Sequence, residues 1–264
     1  MKIMQKIILS LTFLLFLSQV AKAQSQKEKL SFEFGYGVNS YQMNDLNKFY
    51  IDGWAETTRD NNWFFDHINF GNNFSLGLNY QAFKSFDFGV YGSYQYGKSD
   101  IVQGLSEQGN WRNYHLGNAQ LRTEAIGVGI SSTYFFSETL GFQEKESTLN
   151  RLHLGLEFNG GIGFSRAVIS STFETYPEAN LYGFFNSQDF QGQLGLKVIY
   201  DFVKSPLITS LGLRIGYQYF KTNNLANLNG NQMFGINVQE NGASQPVELD
   251  FSGIYVGTFL IIGK

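Results

Sequence analysis

The chain has 264 residues, no cysteine and a formal net charge of −3 at pH 7. The absence of cysteine excludes disulfides, zinc–thiolate sites and cysteine nucleophiles, and the small net charge argues against nucleic acid as a partner and against a polybasic membrane patch. The 29 glycines and the aromatic content of 17%, much of it at alternating positions, favour β-structure throughout.

The first 23 residues predict a secretory signal peptide. Lys2 and Lys6 precede an apolar run from Ile7 to Val20, and Ala21-Lys22-Ala23 follows as a small-x-small cleavage site. The apolar run of about 14 residues is shorter than the ~20 residues that a helix needs to span a bilayer, although an N-terminal membrane anchor is the alternative. We therefore predict cleavage after Ala23, export, and one mature domain over residues 24–264.

Eight segments of the mature chain alternate between apolar residues and small or polar ones, and this period of two places the two sets on opposite faces of a strand. In HLGLEFNGGIGFS, residues 153–165, leucine, isoleucine and phenylalanine share one parity, whereas glutamate, asparagine and serine share the other. The predicted strands are 30–38, 74–80, 86–96, 126–134, 153–165, 190–200, 211–219 and 251–263. The last is apolar on both parities, so the pattern leaves its register open.

The predicted connections differ in length between the two ends of the sheet. Short or polar connections cover 83–85, 137–150 and 203–207, whereas long ones cover 41–69, 99–120, 169–188 and 222–247. Short turns at one end and long loops at the other are typical of outer-membrane barrels. In the first long loop, Met43, Leu46 and Tyr50 keep helical spacing, which predicts a short helix over the barrel mouth.

The glycine-rich polar face favours a membrane barrel over the soluble alternative, a secreted β-sandwich. A sandwich would turn its polar face to water, where glycine weakens a strand without gain, whereas the interior of an eight-stranded barrel has little room for side chains. The apolar face is therefore predicted to face lipid. Tyrosines near the strand ends predict two aromatic girdles. They are Tyr36, Tyr94, Tyr96, Tyr217 and Tyr219 toward the long loops, and Tyr80, Tyr134 and Tyr200 toward the short turns.

In these patterns the chain resembles the small outer-membrane β-barrel family of Gram-negative bacteria, the OmpA-like or "porin family" barrels of the kind common in Bacteroidota. The resemblance covers residues 30–264 and implies an all-β fold, a transmembrane antiparallel up-and-down β-barrel of about eight strands in the cell envelope. Outer-membrane lipids, lipopolysaccharide and the barrel-assembly machinery are the partners expected, with no cofactor. The chain departs from the family by ending in Lys264 rather than an aromatic residue, and we expect no periplasmic peptidoglycan-binding domain after it.

Four charged residues at inward positions predict an ion-pair network in the middle of the barrel. Glu33 lies a few residues into the first strand and Glu157 about halfway along the fifth, with Lys197 and Arg214 at similar depth on the next two. Because isolated charges in a confined interior are unfavourable, we expect the four to pair. The alternative is that they line a hydrated lumen without specific partners.

The three histidines do not indicate a catalytic site. A lipid-modifying barrel enzyme would need a serine–histidine–acid set, but His67 and His115 lie in predicted loops. His153 shares a face with Glu157, yet residues four apart on a strand are separated by ~13 Å, too far to bond. The chain shows no metal-ligand spacing either.

Aromatic clusters in the long loops, among them NNWFFDHINF and NWRNYHLGN, indicate either a lid packed over the barrel mouth or a site for an extracellular ligand. We therefore predict a non-enzymatic integral outer-membrane protein with a structural or surface-interaction role and at most a narrow pore. A small passive channel or transporter for ionic or hydrophobic solutes is the alternative, and a lipid-modifying outer-membrane enzyme is a further one.

Overall fold

The computed structural model describes residues 30–48, 67–102, 117–141, 148–173, 181–202, 208–222, 225, 235–237 and 244–263. The predicted signal peptide lies outside these residues, as do Tyr50 and His115. In this part of the chain, no helix is long and apolar enough to cross a bilayer.

Eight antiparallel strands of the described chain form a closed barrel. They are β1 (Leu30–Ser40), β2 (Phe70–Phe83), β3 (Phe86–Val102), β4 (Gly117–Phe135), β5 (Leu152–Phe173), β6 (Leu181–Asp201), β7 (Ile208–Thr222) and β11 (Gly253–Ile262). Each of β1 to β6 pairs with the next strand in sequence, β7 pairs with β11, and β11 pairs with β1, which closes the ring. The prediction of an all-β, up-and-down antiparallel barrel is therefore confirmed.

The described part of the connection between β7 and β11 contains three short strands. β8 (Gly235–Asn237) pairs with β9 (Ser244–Pro246), and β10 (Leu249–Asp250) pairs with the last residues of β7. We call this end of the barrel the loop end. The opposite end, where the turn at Lys84–Ser85 joins β2 to β3, is the turn end.

Within the described residues, short helices lie in two of the connections. α1 (Asn44–Leu46) is a single turn at the loop end, in the region where the sequence predicts a helix, and Met43 and Leu46 are buried there. α2 (Phe136–Thr139) follows β4 at the turn end, and a 3-10 helix (Thr148–Arg151) precedes β5.

Four strands extend by several residues into segments that the sequence analysis assigns to long loops. β3 and β4 pair as far as Val102 and Asn118, and β5 and β6 as far as Ser171 and Leu181. The prediction that these strand ends belong to long loops is therefore wrong. The alternation does continue there, but most outward positions carry polar or aromatic side chains in place of aliphatic ones. The apolar pattern therefore stops before the strands end.

The outer face of the barrel is apolar around its whole circumference. Ile130, for example, points outward and is 72% exposed. Each barrel strand contributes exposed apolar residues, such as Phe34, Leu76, Val90, Val128, Phe158, Leu196, Leu213 and Val256. We call this surface the apolar belt. Because a continuous apolar surface of this kind is stable only in lipid, and closure pairs the strand edges as lipid requires, the fold is that of a transmembrane β-barrel.

Candidate functional site: the barrel lumen

The inward side chains of β7 cross the lumen from the turn end to the loop end. In order they are Ser210, Gly212, Arg214, Gly216, Gln218, Phe220 and Thr222. Glycine at an inward position leaves space for a ring from a neighbouring strand: a Cβ at Gly212 would overlap the ring of Phe259. Arg214, Gln218 and Phe220 belong to three different layers of the lumen, which consist of charged, amide and apolar side chains respectively.

The charge layer brings together the four ionisable residues singled out in the sequence. Lys197 Nζ donates to Glu33 Oε2 at 2.6 Å and to Glu157 Oε1 at 2.9 Å. Arg214 donates to Glu33 Oε1 at 3.2 Å and also to the hydroxyl of Ser75. The two acidic and two basic groups balance in charge, and such close contacts offset the desolvation of buried ions.

A layer of apolar side chains lies between the charge layer and the turn end. It consists of Phe135, Ile199, Phe259 and Ile261. Lys197 Nζ lies 4.8 Å from the centroid of the Phe259 ring, and Arg214 Cζ lies 5.4 Å from it. The ring therefore adds cation–π contacts to the ion pairs.

A small polar cavity adjoins the charge layer, with Glu157, Tyr91 and Tyr255 among its walls. Its volume is about 20 Å³, and by the same measure one water molecule needs roughly 10–15 Å³. Glu157 Oε2 and the hydroxyls of Tyr91 and Tyr255 have no hydrogen-bond partner within the described residues. A cavity of this size accommodates a water molecule beside these groups, and it is far too small for a path that conducts solutes.

Nearer the loop end lies a layer of hydrogen-bonded side-chain amides. Gln95 and Gln218 bond to each other reciprocally, each Nε2 donating to the partner's Oε1 at 3.0 Å. Asn39 Nδ2 donates to both amide oxygens at 3.2 Å, and Gln218 Nε2 also reaches the Phe251 carbonyl at 3.2 Å. The sequence analysis missed this layer. These residues do occupy inward parities of their strands, but parity alone does not indicate which of them meet across the barrel.

An apolar cluster fills the lumen at the loop end. Its buried members are Tyr41, Met43, Leu46, Ile68, Leu121, Ala125, Ala167, Ile169, Phe220, Leu225, Val247, Leu249 and Phe251. Asn47 holds two parts of the first long connection together over it, because Asn47 Oδ1 accepts from the backbone N–H of Ile68 at 2.9 Å and Asn47 Nδ2 donates to Asn69 Oδ1 at 3.2 Å. The lumen is thus occupied by apolar side chains on both sides of its polar layers.

His153 lies at the turn end between two carboxylates. Its Nδ1 is 2.7 Å from Glu138 Oε1, and its Nε2 is 2.9 Å from Asp201 Oδ2. Ser210 Oγ donates to the other oxygen of Asp201 at 2.6 Å. In a hydrolytic triad the serine donates to the imidazole, whereas this serine binds the carboxylate. The group connects α2, β5, β6 and β7, and the sequence analysis missed its two acids because Glu138 in α2 and Asp201 at the end of β6 meet His153 only in the folded barrel.

The eight tyrosines of the predicted girdles all lie on the outward parity of their strands. Six of them are exposed: Tyr36, Tyr80, Tyr94, Tyr200, Tyr217 and Tyr219. Tyr96 and Tyr134 are half-buried. The Tyr36 hydroxyl donates to Asn72 Oδ1 at 2.7 Å on the outer surface, and the Tyr36 ring lies 5.1 Å from that of Phe74. Their role as membrane anchors stays a prediction.

Comparisons with known proteins give distant structural likenesses. No family model matches the chain, and no curated protein matches it. One similar solved structure is Ail, the attachment invasion locus protein of Yersinia pestis, with 12% identity, 88% of this chain and 94% of Ail covered, and a TM-score of 0.33. A major outer membrane protein from Thermus thermophilus has 13% identity, coverage of 89% and 100%, and a TM-score of 0.41. OprG from Pseudomonas aeruginosa has 10% identity, coverage of 91% and 99%, and a TM-score of 0.38. At these values the likenesses carry no argument about function.

Proposed function

We propose that the chain is an integral outer-membrane β-barrel protein with a structural or surface-interaction role, without enzymatic activity and without a pore for free diffusion. The observation that carries this proposal is the filled lumen. The ion-paired charge layer and the amide layer lie between apolar layers at the turn end and the loop end. A solute would have to displace side chains from all of these layers in order to pass.

The location in an outer membrane follows from the apolar belt and from the predicted export signal. A closed barrel and a helix are the two structures that satisfy all backbone hydrogen bonds in lipid, and the exposed aliphatic residues of this barrel require lipid around them. A secreted barrel with this surface belongs in the outer membrane of a Gram-negative envelope. Its expected partners are outer-membrane lipids, lipopolysaccharide and the barrel-assembly machinery.

A surface-interaction role is supported by the length of strands β3 to β6, which together form one side of the barrel wall. These strands continue beyond the apolar belt at the loop end, where exposed side chains such as Lys98 and Gln188 replace the aliphatic ones. This part of the wall therefore lies outside the hydrocarbon region and is available to headgroups or to extracellular ligands.

Electrical recording tests the proposal directly. The mature chain is refolded in detergent, inserted into planar bilayers and held at a series of voltages. We expect no steady conductance, because the lumen is filled. A steady ohmic current from the wild-type protein would contradict the proposal and support the passive-channel alternative.

Lipid profiles test the enzymatic alternative. Overexpression in a Gram-negative host followed by mass spectrometry of lipid A and phospholipids is expected to show no new species, because the His153 group lacks the arrangement of a hydrolytic triad. A lipid product that depends on His153 would overturn the assignment as a non-enzyme. A suitable comparison is the His153→Gln variant.

A further inference from the structure

Three cations lie on neighbouring strands of the outer surface, immediately beyond the apolar belt. Lys98 on β3 and Arg122 on β4 are direct cross-strand partners. Arg166 on β5 is the partner of Glu124, the residue two positions from Arg122. Directly opposite side chains have Cβ atoms about 4.5–5.5 Å apart and diagonal neighbours are about 7–8 Å apart. We call these three cations the rim patch.

The neighbouring carboxylates neutralise the rim patch only in part. Lys98 Nζ lies 2.5 Å from Asp100 Oδ2, and the hydrogen bond from Lys98 holds the pKa of Asp100 below its ordinary value, at a position outside the belt. Arg122 Nε lies 3.0 Å from Glu124 Oε1. This buried Nε nevertheless has no partner of hydrogen-bonding geometry within the described residues. Among the described residues, three cations thus lie near two carboxylates, and the Arg122 Nε–H has no hydrogen-bond acceptor.

Arg166 is held in place without a carboxylate. Its Nε donates to Asn186 Oδ1 at 2.9 Å, and its Cζ lies 5.7 Å from the centroid of the Phe184 ring. In the described part of the chain it forms no salt bridge. A guanidinium fixed by an amide and an aromatic ring, with no described carboxylate at ion-pair distance, is available to an anion from outside the protein.

We propose that the rim patch binds the phosphorylated sugar headgroup of an outer-leaflet glycolipid of the lipid A type. This proposal rests on the proposed function, because the patch meets headgroups only if the barrel spans the membrane. Arginine guanidinium groups bind phosphate through paired hydrogen bonds. Like charges directly opposite on a sheet destabilise it, and a phosphate between Lys98 and Arg122 removes that repulsion. The site commits to a lipid because its cations point outward from the wall, next to the belt.

Aromatic residues adjoin the rim patch on the side away from the belt. Tyr182 on β6 is 70% exposed, and its ring lies 6.4 Å from that of Phe184. Aromatic faces of this kind pack against the apolar faces of sugar rings, while tyrosine keeps a polar hydroxyl. The order along the wall, from aliphatic residues through cations to aromatic rings, matches the order of acyl chain, phosphate and sugar in such a lipid.

A cation elsewhere on the rim supplies the matched control. Lys221 on β7 lies near the loop end, and its Nζ is 2.5 Å from Glu248 Oε2. Its side chain and that of Glu248 are about one-third exposed. Because Lys221 is ion-paired with Glu248 and lies opposite Asp250, replacing it removes one surface charge without removing an unneutralised cation.

Heat-modifiability in vesicles of defined composition tests the proposal. The full chain is refolded into phosphatidylcholine vesicles, alone or mixed with either phosphatidylglycerol or bisphosphorylated lipid A. The temperature at which half the protein loses its folded gel band is then measured. Lipid A is expected to raise this midpoint of the wild type by about 5–10 °C, as a ligand near 100 times its Kd does for a chain of this size. Phosphatidylglycerol is expected to raise it much less.

The variants assign the effect to the rim patch. The double variant Arg122→Gln/Arg166→Gln is expected to keep the wild-type midpoint in phosphatidylcholine and to lose most of the rise with lipid A, whereas Lys221→Gln keeps the rise. Arg166→Gln alone, which leaves the Arg122–Glu124 contact intact, provides the test if the double variant does not fold.

Three results would overturn the proposal: no rise with lipid A, an equal rise with phosphatidylglycerol, or a rise that survives in the arginine variants. Failure of the proposed function is distinguishable from these, because the wild type would then form no folded, membrane-inserted band in phosphatidylcholine alone or would conduct steadily in bilayers.

Discussion

At the scale of single residues, the packing of the lumen depends on which inward positions are glycine and which carry a side chain. Gly212 makes room for the Phe259 ring, and that ring supports the two cations of the charge layer. The four charged residues could be predicted from parity and depth because each is conspicuous on a face of small residues. The bond between Gln95 and Gln218 could not be, because uncharged amides do not stand out among the other polar residues at inward positions.

Substitution of two glycines tests this use of lumen space. Gly212→Val places atoms where the Phe259 ring lies, and overpacking of this kind destabilises by about 1–3 kcal/mol. Gly92 points outward, and a Cβ there meets only the Gly127 carbonyl oxygen at 3.8 Å. We therefore expect Gly92→Val to leave the stability within about 0.5 kcal/mol of the wild type. Urea unfolding in vesicles measures both, and equal stability of the two variants would contradict the packing described here.

A double-mutant cycle tests the charge layer. Lys197→Met leaves Glu157 buried without its cation, which is expected to cost about 3–5 kcal/mol. Glu157→Gln combined with Lys197→Met restores charge balance, with Glu33 and Arg214 still paired. The double variant should therefore be more stable than Lys197→Met alone.

The same urea titrations give the coupling energy of this pair. A value below about 0.5 kcal/mol would mean that Lys197 and Glu157 act independently and would favour a hydrated lumen without specific pairing. Leu196→Met, an outward neighbour of Lys197, serves as the control for substitution on β6.

At the scale of the strand, the two faces and the position along the strand decide what each residue meets. β6 shows this most fully. Leu194 lies in the middle of the apolar belt, whereas Gln188 lies on the same face beyond Phe190, where the wall leaves the belt. The length of the strands was less predictable. An alternating apolar face marks only the part of a strand that lies in lipid, whereas backbone hydrogen bonds continue the strand beyond it without an apolar face.

Arginine substitutions along β6 test the position of the membrane. Leu194→Arg places a charge near the middle of the hydrocarbon layer and is expected to destabilise by about 2–4 kcal/mol, whereas Gln188→Arg is expected to cost about 0–1 kcal/mol. Folding titrations in vesicles compare the two variants. Equal destabilisation, or none at Leu194, would mean that lipid does not face this side of the strand.

At the scale of the whole molecule, closure of the barrel gives β1 and β11 a hydrogen-bonded neighbour on both sides, so that neither is an edge strand. β11 pairs with β1 over Phe32–Ile262 to Asn39–Tyr255 and with β7 on its other side. An open sheet would expose unpaired backbone groups that lipid cannot satisfy. We therefore expect all eight strands of the barrel to have similar stability against local opening.

Hydrogen exchange of the refolded protein checks closure. Backbone amides of β1 and β11 within the belt, such as those of Phe34 and Val256, should exchange as slowly as that of Val128 in the middle of β4, because all are paired on both sides. The turn at Lys84–Ser85 provides the fast-exchanging reference. Rapid exchange confined to β1 and β11 would mean that the barrel opens between them.

The sequence by itself determined the fold class, the outward direction of the aliphatic residues and the inward direction of the four charges. The two faces follow from a period of two, which is a local property of an extended chain. The glycine-rich composition of the polar face then indicates that this face points inward. Only the tertiary structure decided the register of the last strand, in which Tyr255, Phe259 and Ile261 turn inward and Ile254, Val256 and Leu260 turn outward. That segment is apolar on both parities, so its faces are selected by pairing with β1 and β7 and by the space that Gly212 and Gly195 leave in the lumen. The same holds for the amide layer and the His153 group, whose members meet only once the ring is closed.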